Sequence, residues 1–210
     1  MTTAGTGHQQ SAKNRPETLE KRQAILEAAT EVFGQKGYKN GSLAEIAQRV
    51  GLTRAGVLHH FGSKENLLLE SVKIRDTSDL EEKGRASMPS GREQFDHLID
   101  TAFRNAKRRG IVQTFVVMSS EAITEDHPTH GYYEERYQNL RLEIATNFRE
   151  LCKEEGIEDT STVDNAAASI LAVMDGLQYQ WLLEPECLDL GEATAFAINA
   201  IVDSVLRPTS

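Results

Sequence analysis

Apolar residues recur at three- and four-residue intervals along almost the whole chain, and no stretch shows a convincing two-residue alternation. This spacing restricts the chain to an all-α fold of about nine helices. The first runs from about Glu17 to Gln35, with Ile25, Leu26, Ala29, Val32 and Phe33 as its stripe and Gly37 as a left-handed stop. Ser42 and Glu45 read as a capping box for a short helix that turns Leu43, Ile46, Ala47 and Val50 inward and ends at Gly51. Another short helix starts at Thr53 and stops near Phe61-Gly62, and Ser63 caps a fourth carrying Leu67, Leu68 and Val72. The Gly/Ser/Pro-bearing stretch 84–91 marks a seam. Beyond it, Ser90 to Glu93 reads as a second capping box, and the helix it opens ends at Gly110. Four further helices follow: an apolar one over 111–123, a long mixed one over 132–155, one over 162–183 stopped by Pro185, and a last one capped by Asp189 and ending near Leu206.

Composition narrows the class. Hydrophobic residues make up 39% of the 210, enough for a real core, and no window approaches a membrane span. The first eleven residues lack the apolar core of a signal peptide, which predicts a disordered tail over 1–15 and a cytoplasmic protein. Cys152 and Cys187 are too few for a disulfide framework and lack metal-ligand spacing, so each is expected to be a buried thiol. The net charge of −9 is unevenly spread. Residues 1–70 carry nine Lys/Arg against seven Asp/Glu, and the rest carry 14 against 25. One end can therefore approach phosphates while the remainder is repelled.

Two short helices joined by a tight glycine turn form a helix-turn-helix pattern, with 42–50 supporting and 53–60 reading. A helix of about eight residues is unstable alone. Leu52, Val57 and Phe61 are spaced to pin it, which leaves Thr53, Arg54, Ala55, Gly56, His59 and His60 facing outward without an acid among them. Such a face suits DNA.

The run SLAEIAQRVGLTRAGVLHHFGSKENL (42–67), preceded by Ala28-Ala29, Phe33, Gly37 and Tyr38, resembles the signature of the TetR (tetracycline-repressor-like) family of bacterial regulators. Specific similarity covers about 18–72, with a further patch from Met174 through Trp181. The resemblance implies a DNA-binding head over 16–62 and a ligand-binding and dimerisation body over 63–210. It places Arg54 and Ala55 on base edges, where an arginine can grip a guanine. It places Thr53, His59, His60 and Lys64 on phosphates, and makes Ser42 both cap and phosphate contact. Leu58 stands where family members often have tyrosine, and it cannot donate to a phosphate. Lys13 and Arg15 are either an arm along the DNA or a tail with incidental charge.

One reader covers too few base pairs for specific binding, so a homodimer on a palindromic operator of double-stranded DNA is expected. Ala166, Ala167, Ile170, Ala197, Ala200 and Ile201 would allow close approach of the last two helices across a four-helix seam; the other reading of these small residues is intrachain core. Family resemblance implies a small-molecule cavity among helices four to eight. Phe95, Phe103, Phe115, Met118, Tyr133, Tyr137, Met174 and Trp181 are its expected walls, each with plain core as the alternative. His97, Glu121, His127 and His130 could anchor a ligand or a metal. Ligand binding would tilt the fourth helix, tied to the reader through Phe61, and release DNA. The basic cluster Arg104, Lys107, Arg108 and Arg109 is read as charge favourable to a helix end. No catalytic residue, metal or cofactor is expected, because nucleophile turns, phosphate loops and metal helices are missing from the sequence. A redox sensor working through the cysteines and a protein-binding adaptor are the rival readings.

Overall fold

The computed structural model describes the backbone of residues 8–81 and 89–207, and the side chains of 18–74 and 89–207. The described residues form nine helices and no strand: α1 (His8–Asn40), α2 (Leu43–Arg49), α3 (Arg54–Phe61), α4 (Lys64–Glu81), α5 (Arg92–Asn105), α6 (Arg109–Glu121), α7 (His130–Glu154), α8 (Val163–Leu183) and α9 (Leu190–Leu206). The all-α expectation and the number of helices hold. Lys13 and Arg15 fall on α1, which begins at His8 and continues through Pro16, where a tail was expected to 15. The seam of 84–91 lies mostly outside the described residues.

Local chemistry explains most of the boundaries. Gly37 adopts φ 73°, which breaks the regularity of α1 where the sequence placed a stop. Thr53, Ser63 and Asp189 each accept a hydrogen bond from an amide three residues on. The two expected capping boxes do not form. Ser42 Oγ accepts from the Ala44 amide, but Glu45 turns to Lys36 and Arg49, 2.7 and 3.1 Å away. A pair of cations outcompetes one backbone amide for that carboxylate, and Lys36 above all holds it below the usual glutamate range. At α5 the cap is Gly91, whose amide donates to Asn147 Oδ1 at 2.9 Å. Gly110 sits in the first turn of α6 rather than ending α5, since Ala106 already closes that helix.

Two large clusters hold the molecule together. The first gathers Ile25, Val32, Phe33, Ile46, Val57, Phe61, Leu67 and Leu68 with Phe115 and Met118 of α6. The second joins Phe95, Ile144, Phe148, Ala167, Ile170 and Ile198 of α5, α7, α8 and α9. Helix α1 packs most extensively on α6, and α8 on α9. The α1–α6 seam is unusually close. A Cβ on Gly34 would meet Thr114 Oγ1 at 2.2 Å and its Cα at 3.0 Å. Thr114 and Gln113 in turn donate to the carbonyls of Thr30 and Gly34, at 2.8 and 3.1 Å.

Candidate DNA-reading head and effector cavity

The reader α3 is fixed by its inner face. Val57 is fully buried, Phe61 nearly so, and Leu52 and Leu58 pack partly against the same cluster. Thr53, Arg54, Ala55 and His59 are exposed, and Gly56 and His60 half-exposed. These six positions therefore share an outward surface. Leu58 turns inward, as a side chain without a polar tip does when apolar neighbours are in reach. Ser42 is exposed at the start of α2. Lys64 sits differently: its Nζ donates to Tyr38 O at 2.6 Å and lies 4.5 Å from the Tyr38 ring centroid. Burial lowers its pKa below the ordinary lysine value. In this conformation it clamps α1 to α4 rather than reaching into solvent. Burial, with His59 and Arg22 beside it, also lowers the His60 pKa, so the neutral imidazole is favoured.

Three residues hold the head in ways the sequence did not show: Arg22 carried no signal there, and Glu121 and His127 were read as possible ligand anchors. Arg22 stacks over the Phe61 ring at 4.2 Å, donates to His60 O at 2.6 Å and pairs with Glu70 of α4. Glu121, at the end of α6, accepts from the Tyr38 amide at 2.9 Å, and its Oε1 lies where a Cβ on Gly37 would stand. His127 packs edge-on against Tyr38 and approaches Glu121 at 3.5 Å. Partners this far apart in sequence leave no periodic trace. Gly34, a glycine inside a helical pattern, was the one available signal of close approach.

A cavity of about 630 Å³ opens between α4, α5, α7 and α8. Leu69 and Lys73 come from α4, and His97, Leu98 and Thr101 from α5. Pro128 leads into α7, which supplies Tyr132, Glu135, Arg136 and Leu140, and α8 supplies Leu171, Met174, Asp175 and Gln178. Of the expected walls, Met174 alone lies among the lining residues. Tyr137 stands behind the wall with its hydroxyl on Asp175. Phe95 stacks on Phe148 at 4.6 Å in the second cluster. Phe115 and Tyr133 pair at 5.7 Å, and they lie with Met118 in the first. Phe103 covers Gly191 of α9, and Trp181 packs beside Val112 and Leu190 under the Arg109 guanidinium. Apart from the exposed Phe103, the expected aromatic walls went to packed core, and the cavity kept mostly medium-sized and polar side chains with Tyr132.

His97 is in the cavity wall, whereas Glu121 and His127 are at the α1–α6 junction and His130 Nδ1 meets Ala122 O at 2.8 Å. Among the described residues no three metal-binding side chains converge. Cys152 is buried, which pushes its thiol pKa up, while Cys187 is exposed, against expectation, in the loop after α8. Ala166, Ala167 and Ile170 face the second cluster, Ala167 and Ile170 with no exposed surface. They line the chain's own core, as a helix with a broad apolar stripe requires. Ala197 and Ile201 are half-buried, and Ala200 is exposed near Phe196, which is 79% exposed. No described helix is long and apolar enough to cross a membrane.

Residues 25–71 match the model of bacterial regulatory proteins of the tetR family, and residues 91–207 match the C-terminal region of BetI-type transcriptional repressors. The HTH-type transcriptional regulator AcrR of Shigella flexneri is 27% identical over 209 residues, covering 94% of this chain and 95% of its own. A candidate transcriptional regulator of Pseudomonas aeruginosa PAO1 superposes with a TM-score of 0.74 at 19% identity, over 93% of this chain and 94% of that one. A second, from Saccharomonospora viridis in complex with choline, gives 0.68 at 22% identity over 90% and 97%. A helix-turn-helix with its reader exposed, joined to a helical body that matches a repressor family over more than half the chain, makes this chain a member of the TetR family of transcriptional regulators.

Proposed function

We propose that the chain is a repressor that grips a palindromic operator as a homodimer and lets go when a small molecule enters the α4–α8 cavity. The observation that carries this reading is α4, which touches both ends of the mechanism. Its Leu67 and Leu68 lie in the head's core, its Glu70 pairs with the arginine that holds α3, and its Leu69 and Lys73 line the cavity. A ligand that prefers a tilted α4 would move the reader with it. Arg54 and Ala55 are the proposed base contacts, and Ser42, Thr53, Gly56, His59 and His60 stand around them for the backbone. Lys64 would have to leave Tyr38 to join. For the dimer we take the outward side of α8 and α9, where Tyr179, Leu183 and Phe196 are exposed beside Ala168, Ala172 and Ala200. Apolar side chains this exposed on neighbouring helices are expected to be covered.

Selection of bound fragments from random DNA by the purified protein tests the reading. The expected site is two-fold symmetric, with half-sites about 34–36 Å apart. Arg54→Ala should cost about 1–3 kcal/mol of sequence discrimination for each reader and leave the melting temperature unchanged. Recovery of no preferred sequence, or full discrimination by the variant, would defeat it.

A further inference from the structure

The polar groups of the cavity are unevenly placed. Among the described lining residues, Lys73 and Arg136 are balanced by Glu135 and Asp175, so these side chains select no ion by net charge. Gln178 is only 2% exposed, and its buried Oε1 accepts no hydrogen bond. Leu171 and Met174, on the same side of α8, give it no donor. Thr101 gives none either, because its hydroxyl hydrogen goes to His97 O at 2.8 Å. A buried acceptor without a donor is unfavourable until something supplies one. The space beside Gln178 is large enough for a drug-sized molecule. Among the described lining residues Tyr132 is the one phenyl-type ring, whereas recognition of a quaternary ammonium rests on several aromatic faces.

We propose that the effector is an uncharged, largely apolar molecule that places a hydroxyl or N–H donor on Gln178 Oε1 as the carboxamide turns that oxygen toward the cavity. The inference rests on the reading of this cavity as the effector site, and it adds the chemistry the site selects. Calorimetric titration of the full chain with para-hexylphenol, its methyl ether para-hexylanisole and hexyltrimethylammonium tests it. The phenol should bind about tenfold more tightly than the ether, one hydrogen bond's worth with an orphaned acceptor relieved. The ammonium should bind more weakly than both. Gln178→Leu, nearly equal in volume, should remove the difference between phenol and ether and leave the unliganded chain at least as resistant to heat. The comparison of the two probes on the unmodified chain decides the matter even if that variant does not fold. Equal binding of phenol and ether, tightest binding of the ammonium, or no binding by any of the three overturns the inference. Selective binding of the phenol without release of operator DNA leaves the donor site standing and overturns the effector reading instead.

Discussion

The head and the body of this chain close their cores in different ways. In the body, α5, α7, α8 and α9 bury Phe95, Phe148, Ile170 and Ile198 against one another, and no described side chain of α1 to α4 takes part. In the head, α1 to α4 leave one side open, and Phe115 and Met118 of α6, Ala122 at its cap and Tyr133 of α7 fill it. Helix α6 follows α5 along the chain but belongs to the head by packing. The head is therefore neither a free module nor a passive extension. Its geometry is fixed by a helix whose far end leads through His127 and Pro128 into the cavity wall. Packing also runs unbroken past residue 62, since Phe61 and Leu67 share a cluster. Coupling between sites needs a shared element with more than one arrangement, and α4 and α7 are the elements shared here, with α6 packed between head and body.

The largest expected effect tests that shared core. Phe33 is fully buried between head helices and α6, and Phe33→Ala should cost about 3–5 kcal/mol. Because α6 completes the same cluster, calorimetry should show one transition at a lower temperature, with head and body still melting together. Phe148→Ala, in the cluster built by the body alone, should cost a similar amount. A separate early transition in the Phe33 variant would mean that the head unfolds independently, and the contrast drawn above would fail.

A smaller effect sharpens the contrast at the level of single atoms. Gly34→Val sets a side chain against the backbone of Thr114, which cannot step aside, and should cost about 1–3 kcal/mol. Gly191 looks equally tight, with the Phe103 ring 2.2 Å from its virtual Cβ. Yet Phe103 is 39% exposed and free to rotate outward. Gly191→Ala should therefore cost less, and melting temperatures of the two variants compare them directly. Equal losses would mean that the α1–α6 seam yields as readily as a surface ring.

The same contrast explains what could be read from the sequence. The head is written in local signals: Thr53, Ser63 and Gly37 act within three residues of themselves, and the Val57–Phe61 spacing says which side of α3 turns inward. The cavity is not written that way. Its wall is assembled from Leu69, His97, Tyr132 and Gln178, which come from four separate segments. Listing bulky side chains on central helices selected the residues that pack best, and those fill space rather than border it. The small residues of α8 misled for a related reason. Ala166 and Ala167 permit close approach, but the pattern does not say whether the neighbour is α9 or another subunit. Arg22 and Glu70 were invisible because an ion pair between distant positions has no period, and Glu121, read as a possible ligand anchor, instead accepts from the distant Tyr38 amide.

The smallest effect probes the junction that joins the two regions. Tyr38 donates its hydroxyl to Glu65 at 2.6 Å while its backbone is held by Glu121 and Lys64. Burial first, and then the Glu65 carboxylate, push its pKa up to about 12. The unfolded chain loses the same proton near 10. The native state thus holds the proton more firmly, and the stability this contributes is complete below pH of about 10 and lost as the pH rises toward 12. Glu65 runs the opposite way. Its carboxylate is held below the ordinary value, mainly by the Tyr38 hydroxyl, so its contribution is present above that value and lost in acid. The junction is whole at neutral pH and loosens toward both extremes. Phenolate absorbance of the five tyrosines should show late ionisation to which Tyr38 contributes, and Tyr38→Phe should lower the amplitude of that step by one phenol. Glu65→Gln should bring the step to lower pH without restoring the ordinary value, because burial is the larger cause. A late step of undiminished amplitude in Tyr38→Phe would mean that the phenol is not anchored to α4, and α1 would then be tied to α4 at this point by Lys64 alone.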